Sequence, residues 1–110
     1  MAEQDCVFCN VVAGKFGAKF LYEDDVCVAF ADLRPMAPTH VLVVPREHHA
    51  KLQEAAEEET MLGRLLSVAG KVAKGSDFRV VINNGADAGQ TVYHLHLHVL
   101  AGRHFGWPPG

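Results

Sequence analysis

The sequence predicts an α+β domain, a mostly antiparallel sheet carrying one long and one short helix. Three observations predict it. Strand-like runs outnumber helical ones. Only one connection is long and helical, so most neighbouring strands must run antiparallel. At 110 residues the chain has room for a single domain, 1–110, with its own core.

The elements follow in order. CVFCNVVAG reads as a short helix: Phe8, Val11 and Val12 fall at i, i+3 and i+4, and Gly14 can end it. FLYEDD and VCVAFADL predict a hairpin. In its second run Val26, Val28 and Phe30 alternate with Cys27 and Ala29, so at least one face is buried. RPMAPT, with two prolines, is a loop. HVLVVP is a buried strand ended by Pro45. Between Leu52 and Lys74 the positions Met61, Leu62, Leu65, Leu66, Ala69, Val72 and Ala73 keep helical spacing. Glu54, Glu57, Glu58 and Glu59 at its start and Lys71 and Lys74 at its end suit the helix dipole, and Gly75 is a left-handed cap. DFRVVIN is a strand, NNGADAGQT a glycine-rich loop, TVYHLHLHVLA the last strand and GRHFGWPPG an irregular tail.

Composition excludes several functions. Apolar residues make up 49% of the chain and charged ones 21%, as in an ordinary globular domain. A net charge of −3 argues against a general nucleic-acid or acidic-membrane surface, so an anionic substrate needs a local site. No apolar run approaches the length of a membrane span. The start, MAEQDC, predicts no signal peptide. Three cysteines, an odd number, fit a reduced cytoplasmic setting with free thiols or metal ligands better than a disulfide scaffold.

Chemistry concentrates in YHLHLHVL. In a strand, side chains alternate between faces. Tyr93, Leu95, Leu97 and Val99 then form a core face, and His94, His96 and His98 line the other, with neighbours about 6.7 Å apart at Cα and the outer pair about 13 Å apart. Such a face could be a solvated surface rich in histidine. It could be a metal site, although three rings converging on one ion would have to close that outer span. The third reading is phosphoryl or nucleotidyl transfer. A neutral imidazole is a good nucleophile near pH 7, and its neighbours can hold phosphate oxygens or supply a proton.

The preceding GADAGQT favours the third reading. Its glycines let backbone N–H groups approach an anion, and Gln90 and Thr91 add side-chain donors. It is not a Walker loop, since no Gly-Lys-Ser/Thr follows. A second constellation, Cys6-x-x-Cys9, has the spacing of a zinc half-site or a redox pair, or of two reduced core residues on the first helix. Cys27, on a strand, is expected to be simply buried, and His49 and His104 to be surface residues.

His94-Leu-His96-Leu-His98-Val-Leu matches the histidine triad pattern, His-φ-His-φ-His-φ-φ with φ apolar. DLRPMAPTHVLVVPREH, VVINNGADAGQTVYHLHLHVLAGR and the closing WPPG extend the match over nearly the whole chain. Together they resemble the histidine triad (HIT) family, and within it the HINT branch of histidine triad nucleotide-binding proteins.

The resemblance implies a HIT-like fold whose sheet continues across a homodimer. It also implies a purine nucleoside phosphoramidase acting on adenosine 5′-phosphoramidate or AMP-lysine. His96 would attack the α-phosphorus, the amine would leave, and water would cleave the nucleotidyl-histidine. His40 would orient the nucleophile, His98 would contact phosphate oxygens, and His94 completes the catalytic set. Asn83, Gly89, Gln90 and Thr91 match phosphate-binding positions and Asp32 the ribose-binding acid. Leu33, Val7, Phe8, Val11 and Phe30 match the apolar slot for the purine of an AMP or GMP moiety. Trp107, in WPPG, would pack near the partner's site. Some bacterial members hold a structural zinc through residues matching Cys6, Cys9, His48 and His94; catalysis needs no cofactor. The chain departs from the family at Thr91, where Ser is usual, and at Ala31, where many relatives carry His. A dinucleoside polyphosphate hydrolase and a non-catalytic nucleotide- or zinc-binding regulator are the alternatives.

Overall fold

A computed structural model describes residue 3 and residues 5–110. A five-stranded antiparallel sheet organises the described residues. Its strands are β1 (Tyr22–Glu23), β2 (Cys27–Ala31), β3 (Thr39–Pro45), β4 (Phe78–Val81) and β5 (Leu97–Ala101), in spatial order β1-β2-β3-β5-β4. The two helices are α1 (Val7–Val12) and α2 (Glu59–Val72). The expected fold class is thus the observed one.

The central strand β3 is buried along nearly its whole length because both faces of the sheet are covered. On one face α2 lays Leu65, Val68 and Ala69 over Ala29, Val41, Val43, Leu97 and Val99. On the other, α1 sets Phe8 and Val11 against Val28, Phe30, Leu42 and Val44. Register decides which side the histidines share. His40 pairs with Leu100 and Leu42 with His98, so His40 and His98 rise from the α1 face.

The β1–β2 hairpin turns on Asp24. Its Oδ1 accepts the backbone N–H of Val26 and Cys27, and its Oδ2 accepts Tyr22 Oη–H and Arg64 Nη1–H, the latter at 2.7 Å from α2. Burial pushes this carboxyl up, but the four donors outweigh it and hold it well below the usual carboxylate range.

Three expectations need correction. The long helix between Leu52 and Lys74 is two elements: a 3₁₀ turn, Leu52–Ala55, then α2 from Glu59. The turn buries Ala55, and Glu58, in a non-helical conformation, breaks the continuity. Leu66 is exposed, because the buried stripe is Leu65, Val68, Ala69 at i, i+3, i+4 and Leu66 lies off it. The last strand starts at Leu97, not Thr91. Residues 91–96 lie outside the ladder, so Tyr93 leaves the core face and is 44% exposed. The left-handed turn after α2 falls on Lys74 and Gly75 together.

Candidate active site and metal cluster

Three histidines two residues apart take three different environments. His98 stands in β5, paired with Leu42 and Val81. His94 and His96 precede the strand and are buried. The segment is anchored by Leu95 N–H, which donates to His49 O at 2.6 Å, and by Gln90.

Backbone partners fix the proton on each ring. His96 Nδ1 lies 2.8 Å from His94 O. A carbonyl only accepts, so Nδ1 carries the hydrogen and Nε2 keeps its lone pair. Burial holds the ring below the ordinary imidazole value, against the His94 carbonyl, so His96 is neutral at pH 7. The edge of Phe8 packs on it at 5.1 Å between centroids. The result is a neutral imidazole with one nitrogen anchored and the other free to attack.

His40 is fixed the opposite way. Met36 N–H donates to its Nδ1 at 3.0 Å, so hydrogen sits on Nε2, which is 2.9 Å from His98 Nδ1 and 3.4 Å from Asp32 Oδ2. His98 therefore accepts on Nδ1 and carries hydrogen on Nε2. Burial, then the neighbouring His96 and His40, push His98 down to about 4. Asp32, His40 and His98 are close enough to suggest a metal triad, but His40 Nε2 cannot ligate while Met36 N–H keeps the hydrogen there.

A separate cluster fits a metal. Cys6, Cys9, His48 and His94 each offer one ligand atom, all within 4.8 Å of one another. His94 Nε2–H donates to Pro45 O at 2.8 Å, which leaves its Nδ1 for the cluster. That Nδ1 is 3.2 Å from Cys6 Sγ, 3.5 Å from Cys9 Sγ and 3.2 Å from His48 Nδ1; Cys9 Sγ is 3.4 Å from His48 Nδ1. A tetrahedral zinc has N–N edges of about 3.3 Å and N–S edges of about 3.5 Å, so these four atoms sit near the corners such an ion requires. His48 Nε2 meets Glu3 Oε2 at 3.4 Å, a carboxylate behind a ligand ring. Cys6 Sγ also accepts Cys9 N–H at 3.3 Å, which caps α1 and presents both sulfurs together. When bound, zinc would supply a crosslink between α1, the loop after β3 and the segment before β5.

The other expected site residues fall in two groups. Phe8, Val11 and Phe30 are buried on the α1 face beside the histidines, with Val7 half-exposed at the rim. Asp32 lies against His40, and Leu33 beside it is 97% exposed. Gly89 has φ 101°, and a Cβ there would touch Asn83 Nδ2, so these two loop positions adjoin; Thr91 follows, exposed. One expectation changes. Gln90 is only 4% exposed and its amide is fully used: Oε1 accepts Gly85 N–H, and Nε2 donates to Ala50 O and Val92 O. It braces the loop and has no donor left for a substrate. Trp107 is 83% exposed, with the Arg79 guanidinium of the edge strand over its ring. The groups that sequence reasoning missed are mostly backbone: Met36 N–H and the carbonyls of His94 and Pro45. No side-chain pattern announces them.

Fold and site together define a class, a small α+β domain with clustered, largely buried imidazoles. The chain belongs to the HIT domain family, whose model matches residues 14–105. An uncharacterized HIT-like protein of Synechocystis sp. is 50% identical over the whole of both chains. A HIT family hydrolase from Legionella pneumophila superposes with a TM-score of 0.92 at 38% identity, covering 96% of this chain and 100% of that one. A zinc-bound histidine triad family protein from Mycobacterium smegmatis gives 0.82 at 32% identity, covering 96% and 80%. A histidine triad nucleotide-binding protein from Candida albicans gives 0.80 at 31%, covering 94% and 83%.

Proposed function

We propose that the chain is a hydrolase of purine nucleoside phosphoramidates, cleaving the P–N bond of adenosine 5′-phosphoramidate or AMP-lysine through a nucleotidyl-histidine. One observation carries the reading: His94 O holds the hydrogen of His96 on Nδ1 and leaves Nε2 as a buried, neutral nucleophile. Its attack on phosphorus displaces the amine, and the ring becomes a cationic phosphoramidate. His98, whose Nδ1 accepts from His40, keeps its Nε2–H as a donor for a phosphate oxygen or the leaving amine. Water then releases AMP and restores the ring.

The names of similar proteins support the coarser terms, a HIT family hydrolase and a nucleotide-binding protein. Phe8, Val11, Phe30, Val7 and Leu33 form the purine slot in this reading, Asp32 receives the ribose hydroxyls, and Asn83, Gly89 and Thr91 surround the phosphate. A structural zinc at Cys6, Cys9, His48 and His94 is part of the proposal, as are a homodimer in which Trp107 reaches the partner's site and a cytoplasmic location. Among the described residues no helix is long and apolar enough to cross a membrane.

The test is AMP release from adenosine 5′-phosphoramidate, run beside a diadenosine polyphosphate. The phosphoramidate is expected to be the better substrate. His96→Ala is expected to cut turnover by about 10³-fold or more while AMP still binds. Turnover that survives that substitution overturns the assignment.

A further inference from the structure

His94 faces two ways. Its ring looks into the Cys6, Cys9, His48 cluster, and its carbonyl accepts the hydrogen that defines the His96 tautomer. The segment that carries both residues has no ladder of its own, since β5 begins at Leu97. It is tied instead to the end of β3 and the loop that follows. His94 Nε2–H reaches Pro45 O, Leu95 N–H reaches His49 O, and Gln90 reaches Ala50 O. His49 follows the ligand His48 directly, so both sides of this tie carry a ligand.

We infer that ligation through His94 positions the nucleophile: occupancy of the Cys6, Cys9, His48, His94 cluster by a divalent metal holds the His94 carbonyl on His96, and so sets kcat. The inference rests on the phosphoramidase reading for its kinetic half and on the cluster taking zinc, but it goes beyond a structural role for that ion. Its physical basis is the crowding of lone pairs. His48 Nδ1 and His94 Nδ1 stand 3.2 Å apart with two sulfurs beside them, a grouping that a cation holds more firmly than the weak thiol hydrogen bonds that hold it otherwise. The His94 ring is one of the few ties of this segment, through Pro45 O, so a ring displaced far enough to break that bond loosens the backbone that carries the His94 carbonyl. His96, once released, can place its hydrogen on Nε2, where it cannot attack. His94 is in this sense a positioning residue, and its Cys and His partners act on the reaction through it.

The experiment compares zinc-loaded, chelated and reloaded wild-type protein at a temperature where circular dichroism shows it folded. Zinc per chain is measured by mass spectrometry. The His96 Nδ1 proton and the Leu95 amide exchange rate are followed by NMR, and kcat and KM with adenosine 5′-phosphoramidate. Chelation is expected to lower kcat about 10–100-fold with KM within about threefold, to hasten Leu95 exchange, and to abolish the slowly exchanging Nδ1 proton; reloading restores all three. Should chelation unfold the chain, the same measurements on Cys6→Ser, which keeps three ligands, decide the matter. Unchanged kcat and an unchanged Nδ1 signal in the metal-poor form overturn the inference, as does a native chain that takes up no zinc. A loaded chain that releases no AMP refutes the phosphoramidase reading instead; the NMR signals then still decide the coupling.

Discussion

His40 donates to His98 across 2.9 Å, ring to ring, and this bond decides which end of the His98 imidazole carries hydrogen. The direction is inherited from Met36, whose N–H occupies the other nitrogen of His40. A backbone amide in a proline-rich loop thus sets which nitrogen of a β5 histidine is the donor.

Removing that relay has a specific kinetic signature. His40→Ala is expected to lower kcat about 10–100-fold, because His98 loses its fixed tautomer and offers the reacting group the wrong end part of the time. KM should change little, and His40→Gln, which can keep an N–H near the same place, should recover part of the loss. Equal falls in kcat for the two variants would show that ring shape, not proton direction, is what matters.

Gln90 is expected to behave as a brace. Gln90→Leu strips three hydrogen bonds from a buried position and should cost about 2–4 kcal/mol, read by urea unfolding. Gln90→Glu should be at least as harmful, since a carboxylate would face the carbonyls of Ala50 and Val92. A neutral effect on stability combined with weaker nucleotide binding would return Gln90 to the substrate.

Two windows of acid sensitivity follow, one from the buried histidines His94, His96 and His98 and one from Asp24. His98 is depressed to about 4, so as pH falls below 6.5 the unfolded chain takes up a proton that the folded ring refuses, and stability declines until about pH 4. Asp24 is held below 3.8, so its contribution is present above that value and is lost at lower pH, as the unfolded carboxyl protonates first. His98→Asn should make the first decline shallower, the remainder belonging to His94 and His96, and Asp24→Asn should flatten the second. Unfolding free energies measured in urea from pH 7 to pH 2.5 check both. A slope unaltered by His98→Asn between pH 6.5 and 4 would place the proton uptake on another group.

Gly102 follows β5 with φ 95°, and a Cβ there would lie 2.8 Å from Pro38 Cβ. Gly102→Ala is therefore expected to destabilise the fold by about 2–3 kcal/mol, from the left-handed backbone and the clash together. Because Pro38 belongs to the loop that carries Met36, the same variant should also slow turnover. Thermal unfolding gives the first effect and kcat the second.

Much of this was legible in the sequence. Alternation gave β2, the apolar run HVLVVP gave β3, and the His-φ-His-φ-His pattern marked where the imidazoles cluster. Cys6, Cys9, His48 and His94 were paired by resemblance, and the structure brings all four together. What pattern could not supply was the break at Glu58, where a buried Ala55 and a 3₁₀ turn override a continuous helical periodicity. Nor could it locate the start of β5. Residues 91–96 have strand-like composition, but side-chain anchors and one backbone bond replace the ladder there. Gln90 misled for a related reason: donor chemistry is visible in a sequence, whereas prior commitment of those donors to carbonyls is not.

His94 and His96 are mounted in opposite senses on the same short stretch. One is pinned by Nε2 and presents Nδ1; the other is pinned by Nδ1 and presents Nε2. Adjacent rings so arranged cannot share a single ion or compete for one electrophile. An ion held through His94 Nδ1 would therefore leave the lone pair on His96 Nε2 untouched, and would act on that ring only through the backbone between them.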